Sequence, residues 1–394
     1  MSEKLPDQNS SNSSYFFDAQ STTPIDETVL DVLNSVYRNS FANPHSSHRF
    51  GLQAGNIIKQ SVQTITEILN CHDHEVIFTS GATESNNFII KGLRDYLHDH
   101  QLKALTIKTE HKCVLNSFDH LERNGVEVVY LDVEKDGLIN LDTFEKHLNG
   151  VGFISIMYVN NEIGVVQPLK EISSLARSKG IIFHSDIAQA MGRLPIDFNK
   201  IDFDAVSISG HKFYGPKGVG LAIINQELKS ILKPIIHGGG QQSNLRSGTL
   251  PTALCAGLAK CIEQYQNENF LKTQHLNHLN LFNHFLQKLN KAKISYSLNG
   301  SNPSQELLVT KRLPCNLNIA FEKYDATNFM SKLSNFMIST GSACSAGEFD
   351  YSHVLRGLGL SNESLQKSVR ISFDKDKTLE DIDKFLDEII SIHH

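Results

Sequence analysis

The chain has 394 residues, 40% of them hydrophobic and 20% charged, with a formal net charge of -6. That length is long for a single hydrophobic core and predicts two domains. The acidic balance argues against a nucleic-acid or membrane surface, and no apolar run is long enough to span a bilayer.

The N-terminus lacks a basic and then apolar signal segment. It carries Glu3 and Asp7 and has no arginine before Arg38, unlike a transit peptide. A cytoplasmic location is therefore expected. The six cysteines, Cys71, Cys113, Cys255, Cys261, Cys315 and Cys344, are scattered, and none sits in a CxxC pair. That spacing argues against a disulfide scaffold or a zinc site.

Residues 1 to about 14 are rich in Ser, Asn and Gln and read as disordered. Thr23-Pro24-Ile25-Asp26 marks a helix start before Val29, Leu30 and Leu33. Phe41 to His48 is a polar loop. Ile57, Ile58, Val62, Ile65 and Leu69 then recur at helical spacing. Strands and helices alternate from there. Strands are predicted over 76–79, 104–108, 126–131, 153–159, 181–186, 205–209 and 219–224, with helices among them. This alternation predicts an α/β fold with a mainly parallel sheet covered on both faces. In such sheets a ligand sits at the carboxyl ends of the strands. Residues 254–289 read as helical. After the polar break Asn299 to Ser304, strands over 316–321 and 369–373 and a helix over 379–392 make a smaller α+β unit.

The candidate chemistry lies at strand ends and in glycine-rich turns. Lys212 stands in Ser209-Gly210-His211-Lys212-Phe213-Tyr214-Gly215-Pro216-Lys217-Gly218, directly after a β-branched run. That setting suits a surface turn or a desolvated lysine able to form a Schiff base beside an anionic cofactor. In Thr79-Ser80-Gly81-Ala82-Thr83-Glu84 a strand gives way to a helix. The N–H groups of Ala82 and Thr83, with the Thr83 hydroxyl, suit a phosphate or an ordinary helix cap. Asp186 ends a strand, and fits either a partner for a protonated ring nitrogen or a cap. Gln189 follows three residues later and could donate to a ring oxygen. His111 also follows a strand, and reads as a proton carrier over a flat ring or as a structural histidine. Three consecutive glycines precede Arg246-Ser247-Gly248-Thr249, which suggests close approach to a ligand or a second subunit. Cys344 stands in Ser339-Thr340-Gly341-Ser342-Ala343-Cys344-Ser345-Ala346-Gly347, a run too small and polar for a core strand. A cysteine there is expected to be exposed and mobile rather than packed.

Taken together, these stretches resemble the pyridoxal-phosphate-dependent cysteine desulfurases of the class-V aminotransferase superfamily. The resemblance is to the iron-sulfur-cluster and nitrogen-fixation type. Phe78 to Asn86, Val159 to Gln167, Ser209 to Gly218, Arg246 to Pro251 and Gly341 to Cys344 match the family pattern in order. The resemblance implies a fold-type-I enzyme with a large cofactor domain over 25–266. A small domain from 1–24 and 267–394 would carry the cysteine loop. It implies that Lys212 binds pyridoxal 5'-phosphate covalently, Asp186 pairs with the ring nitrogen, Gln189 meets the phenolate oxygen and His111 stacks on the ring. Ala82, Thr83, Ser209 and His211 would hold the phosphate, joined by Thr249 from the other subunit of a homodimer. Asn161 and Arg370 would hold the carboxylate of L-cysteine. Cys344 would be the nucleophile and would pass a persulfide to a protein acceptor, an iron-sulfur scaffold or a nucleic-acid thiolation enzyme. Direct nucleic-acid binding is not expected.

Four departures from the family pattern stand out. Ala19 and Ser21 replace an aromatic or asparagine and an alanine, Ile187 replaces an alanine, and Asp374-Lys375 replaces Gly-Arg. None removes a catalytic group. The chain also ends at His394, without the longer tail with which housekeeping desulfurases dock their scaffold, which leaves room for a dedicated acceptor such as a tRNA- or DNA-thiolation system. A selenocysteine lyase or a class-V aminotransferase is the alternative enzyme, and a scaffold on an inactive fold the alternative non-enzyme.

Overall fold

A computed structural model describes residues 15–333, 335–340 and 351–393. The expectations for residues 1–14 and for Cys344 fall outside these ranges.

Seven strands form the main sheet: β1 (His74–Thr79), β2 (Lys103–Ile107), β3 (Val128–Leu131), β4 (Val151–Ser155), β5 (Ile182–Asp186), β6 (Ala205–Ser209) and β7 (Gly220–Asn225). Their order is β1-β7-β6-β5-β4-β2-β3. The pairs from β6 to β3 are parallel, and β7 runs antiparallel to both β1 and β6. A parallel pair needs a crossover of a dozen or more residues. The turn from Gly210 to Val219 is too short for one, so β7 must return antiparallel.

Strand side chains alternate between faces, and the sheet is covered on both sides accordingly. Ile77, Ala104, Phe153, Ala205 and Ala222 face one way and pack with Phe88, Ile89 and Phe118 of the helices Ala82–Gly92 and Lys112–Arg123. Their neighbours Phe78, Leu105, Ile154, Val206 and Leu221 face the larger core.

A second sheet contains β8 (Tyr296–Leu298), β9 (Asn316–Phe321) and β10 (Ser368–Ser372), in the order β10-β9-β8 and antiparallel throughout. The helices Glu268–Lys291 and Leu379–His393 pack on each other beside it. No helix among the described residues is long and apolar enough to cross a membrane.

The segment from Tyr15 to Asp26 links the two sheets. Asp18 bridges to Ser372 of β10, and Phe17 packs on Phe385 with ring centroids 4.6 Å apart. Further along, Thr23 N–H donates to His211 O and Asp26 N–H to Tyr214 O, both at 3.0 Å. At the other end of the main sheet, β1 is an edge strand. The Gln242 side chain covers it: Oε1 accepts from Phe78 N–H at 2.7 Å and Nε2 donates to Phe78 O at 2.9 Å. Gln242, Ser243 and Asn244 all hold left-handed backbone to reach it, with φ of 50°, 59° and 64°.

Candidate active site

A cavity of about 580 Å³ opens at the carboxyl ends of the main strands and extends to β10. Lys212 enters it from a single 3₁₀ turn, Gly210–Lys212, directly after β6. The chain that follows folds back tightly on the turn: a Cβ on Gly215 would lie 2.7 Å from Gly210 O. Lys212 Nζ donates to Gln20 O at 2.9 Å and to Ser21 O at 2.8 Å. The segment that links the sheets therefore also fixes the amine.

Asp186 ends β5 and is 7% exposed. Its Oδ2 accepts from Asn86 Nδ2 at 2.7 Å and its Oδ1 from Ala188 N–H at 2.9 Å. Asn86 lies one turn beyond Thr83 on the same helix face. His111 caps the helix Lys112–Arg123, with Nδ1 accepting from Cys113 N–H at 3.2 Å. The Cys113 thiol lies 3.0 Å from the same nitrogen, and burial pushes its pKa up to about 12. Burial holds His111 below the ordinary histidine range; Asp186 opposes the shift and Lys212 adds to it. His111 is thus a neutral imidazole with its proton on Nε2.

Glu110, beside His111, is fully buried. Burial, reinforced by Asp186, raises its carboxyl well above the usual range, while the Met157 N–H bonded to Oε1 pulls the other way. Its backbone oxygen accepts from His353 Nε2 at 2.8 Å.

The helix Ala82–Gly92 starts without a side-chain cap, so its first N–H groups are open to a ligand. Gly81 takes φ of 151°, and a Cβ there would come 3.4 Å from Ser209 Oγ. His211 closes the same corner, with Nδ1 at 3.1 Å from Thr22 Oγ1. Burial, with Lys212 and Lys217, lowers its pKa to about 4, so it is neutral at pH 7. At the opposite wall Arg370 is 3% exposed. Its Nη2 donates to Asp18 Oδ1 at 2.6 Å and its Nη1 to Asn161 O at 2.8 Å.

Ala82, Thr83, His111, Asn161, Asp186, Gln189, Ser209, His211, Lys212 and Arg370 all line this cavity. Thr249 does not. It lines a separate hollow of about 280 Å³ with Tyr37, Phe41 and Pro44. Sequence reasoning assigned no role to Gln20, Asn86, Glu110 or Cys113. Asn86 could have been found from its i,i+3 spacing to Thr83. The other three carry no local signal.

The donor set suits a flat, phosphorylated, pyridine-type cofactor. An uncapped helix start offers N–H groups to a dianion, a strand-end carboxylate suits a protonated ring nitrogen, and an amine lines the same cavity. Asn161 Oδ1, Gln189 Oε1 and Arg370 Nε are buried without a partner among the described residues, which leaves capacity for bound groups. Gln189 Nε2 donates to Gln20 O at 2.9 Å and carries a second proton. Together with the mainly parallel sheet, these groups define a fold-type-I pyridoxal-phosphate enzyme.

The residues 15–385 match the family model described as aminotransferase class-V. The cysteine desulfurase IscS of Rickettsia prowazekii (strain Madrid E) is 40% identical over 370 residues, 93% of this chain and 88% of that protein. Among solved structures, a NifS-like protein superposes with a TM-score of 0.86 at 29% identity, covering 96% of this chain and 98% of that one. SspA in complex with cysteine superposes with a TM-score of 0.78 at 36% identity, covering 92% of this chain and 100% of that one. The chain belongs to the class-V aminotransferase family, and within it to the cysteine desulfurases. Its cofactor is pyridoxal 5'-phosphate.

Proposed function

We propose that this chain converts L-cysteine to L-alanine and leaves the sulfur as a persulfide on Cys344. One cavity that holds Lys212 and Asp186 at one wall and Arg370 at the other carries the reading. When bound, pyridoxal phosphate supplies an aldehyde for an amine and a ring that draws electrons from the substrate Cα. Ala82, Thr83, Ser209 and His211 would hold its phosphate, Asp186 would keep a proton on the ring nitrogen, Gln189 would donate to the phenolate oxygen and His111 would cover the ring. Arg370 and Asn161 hold the substrate carboxylate. Lys212 accepts the Cα proton and returns it. The Cys344 thiolate attacks the substrate sulfur, so the Cβ–S bond breaks, an S–S bond forms and Cβ gains a hydrogen. Carbon is reduced as sulfur is oxidised, and no outside electron donor is needed.

The supporting ends of the cysteine segment meet this site. Ser339 pairs with Arg370 through N–H to O bonds of 3.2 Å and 2.6 Å. Ser352, which caps the helix His353–Gly357, donates to the buried Glu162. We also propose two units, 25–266 and 1–24 with 267–394, and a homodimer in which Thr249 completes the partner's phosphate site. Exposed Tyr37 and Phe41, which line the Thr249 hollow, and Phe50, stacked on Phe41, support that interface. Free thiols at Cys71, Cys113, Cys255, Cys261 and Cys315 support a cytoplasmic setting. The persulfide acceptor is a protein of the iron-sulfur scaffold or thiolation kind.

The test compares two variants. Cys344→Ala is expected to stay yellow but release no alanine from cysteine. Lys212→Ala is expected to lose the borohydride-trappable cofactor link. Full alanine release by Cys344→Ala would sink the desulfurase reading.

A further inference from the structure

We propose that Gln20 binds substrate, its side-chain amide donating to the α-carboxylate that Arg370 holds. The proposal rests on reading the cavity as an amino-acid site. Gln20 lines the cavity and is 1% exposed. Its backbone is fixed by Ser372, whose Oγ accepts from Gln20 N–H at 3.0 Å. Its carbonyl is fixed by Lys212 and Gln189.

The side chain is oriented by a buried arginine two links away. Arg312 is 0% exposed, and a guanidinium only donates. Its Nη2 lies 2.7 Å from one end of the Asn316 carboxamide, so that end is the oxygen. The other end is the NH₂ group. It donates to Glu162 O at 3.0 Å and to the near end of the Gln20 carboxamide. That near end must be the Gln20 oxygen. Gln20 Nε2 is therefore the far end, and it is buried without a partner among the described residues. Buried amide donors are rarely left unpaired.

Gln20 Nε2 also stands in the right company. Ser372 and Arg370 are two apart on β10 and share a face, opposite Asn316 and Asn318 of β9. Asp18, two residues before Gln20, holds Arg370 Nη2. The Gln20 amide, held by Ser372 and Asn316, thus lies over the face of the small sheet from which the Arg370 side chain extends. A carboxylate has about four acceptor sites, and a neutral amide adds a donor there without a second charge.

Two substitutions separate this role from a structural one. Gln20→Glu keeps an oxygen for Asn316 but replaces the donor with an acceptor. Gln20→Ala removes both, and Gln20→Met serves if the smaller side chain does not fold. L-alanine affinity of the purified holoenzyme is measured by calorimetry, with KM for cysteine and cofactor absorbance alongside. We expect Gln20→Ala to weaken alanine binding about 10-fold. We expect Gln20→Glu to weaken it about 100-fold, with cofactor absorbance retained. If Gln20 only supports Asn316, the order reverses: Gln20→Glu binds like wild type and Gln20→Ala alone loses thermal stability. That order overturns the proposal. A wild-type enzyme that binds neither cysteine nor alanine overturns the amino-acid reading, and this inference with it.

Discussion

The two walls of the cavity are built in different ways. The wall we propose for the cofactor comes from one sheet. Asp186 ends a strand, and Thr83, His111 and Lys212 follow strand ends, all at the carboxyl edge of the main sheet. The wall we propose for the substrate is assembled from distant chain. Arg370 and its ion-pair partner Asp18 are 352 positions apart. The first wall is fixed by topology. The second depends on a network of buried amides seated on Arg312, whose guanidinium meets only neutral acceptors: Asn299 O at 2.9 Å, Ser301 O at 3.1 Å, Asn316 O at 3.1 Å and Asn316 Oδ1 at 2.7 Å. In such a network the loss of one member leaves buried partners unsatisfied.

The largest test of that difference is Arg312→Met. It leaves four buried acceptors short of a donor and should cost about 3 kcal/mol or more. Denaturant unfolding should show a lower midpoint. The folded variant should keep its cofactor absorbance and lose alanine affinity. Parallel loss of both would erase the distinction between the walls.

Next is Arg370→Lys. A lysine cannot reproduce the forked contact to Asp18 and a carboxylate. KM for cysteine should rise about 100-fold, with cofactor content unchanged. An unchanged KM would show that the substrate wall does not depend on Arg370.

The smallest effect is expected at Glu110, behind the cofactor wall. Its folded pKa is raised, so the folded state keeps a proton that the unfolded chain gives up above about pH 4.5. That contribution is lost as pH rises through the folded pKa. Glu110→Gln keeps the acceptor for Met157 and does not titrate. Its unfolding free energy should match wild type within about 1 kcal/mol at pH 5 and gain on it toward pH 8. His184 and His278 have the opposite sign. Burial lowers their pKa values to about 3 and about 4. Both proteins should therefore lose stability as pH falls below about 6.5.

Much of the main sheet was legible because its strands are short, apolar and separated by helical spacing. The direction of β7 was not, since a strand buried on both faces carries no sign of its orientation. Only the length of the preceding turn decides it. β8 escaped because Tyr296-Ser297-Leu298 is too short a run to establish an alternation. Lys212, Asp186, Thr83 and His111 were legible because strand ends carry local signals. Gln20 was not, because its orientation is inherited from Arg312, far along the chain. Thr249 was legible as a glycine-loop residue, but it lines a hollow apart from the cavity.

The Gln242 carboxamide has a consequence beyond the loop it anchors. An open edge strand invites another chain to add a strand, and natural sheets blunt such edges. By taking both hydrogen-bonding groups of Phe78, one side chain acts as a false strand. Three consecutive residues in left-handed conformation are held there at some conformational cost. The molecule is thereby guarded against sheet-to-sheet aggregation beside the very loop that carries Thr249.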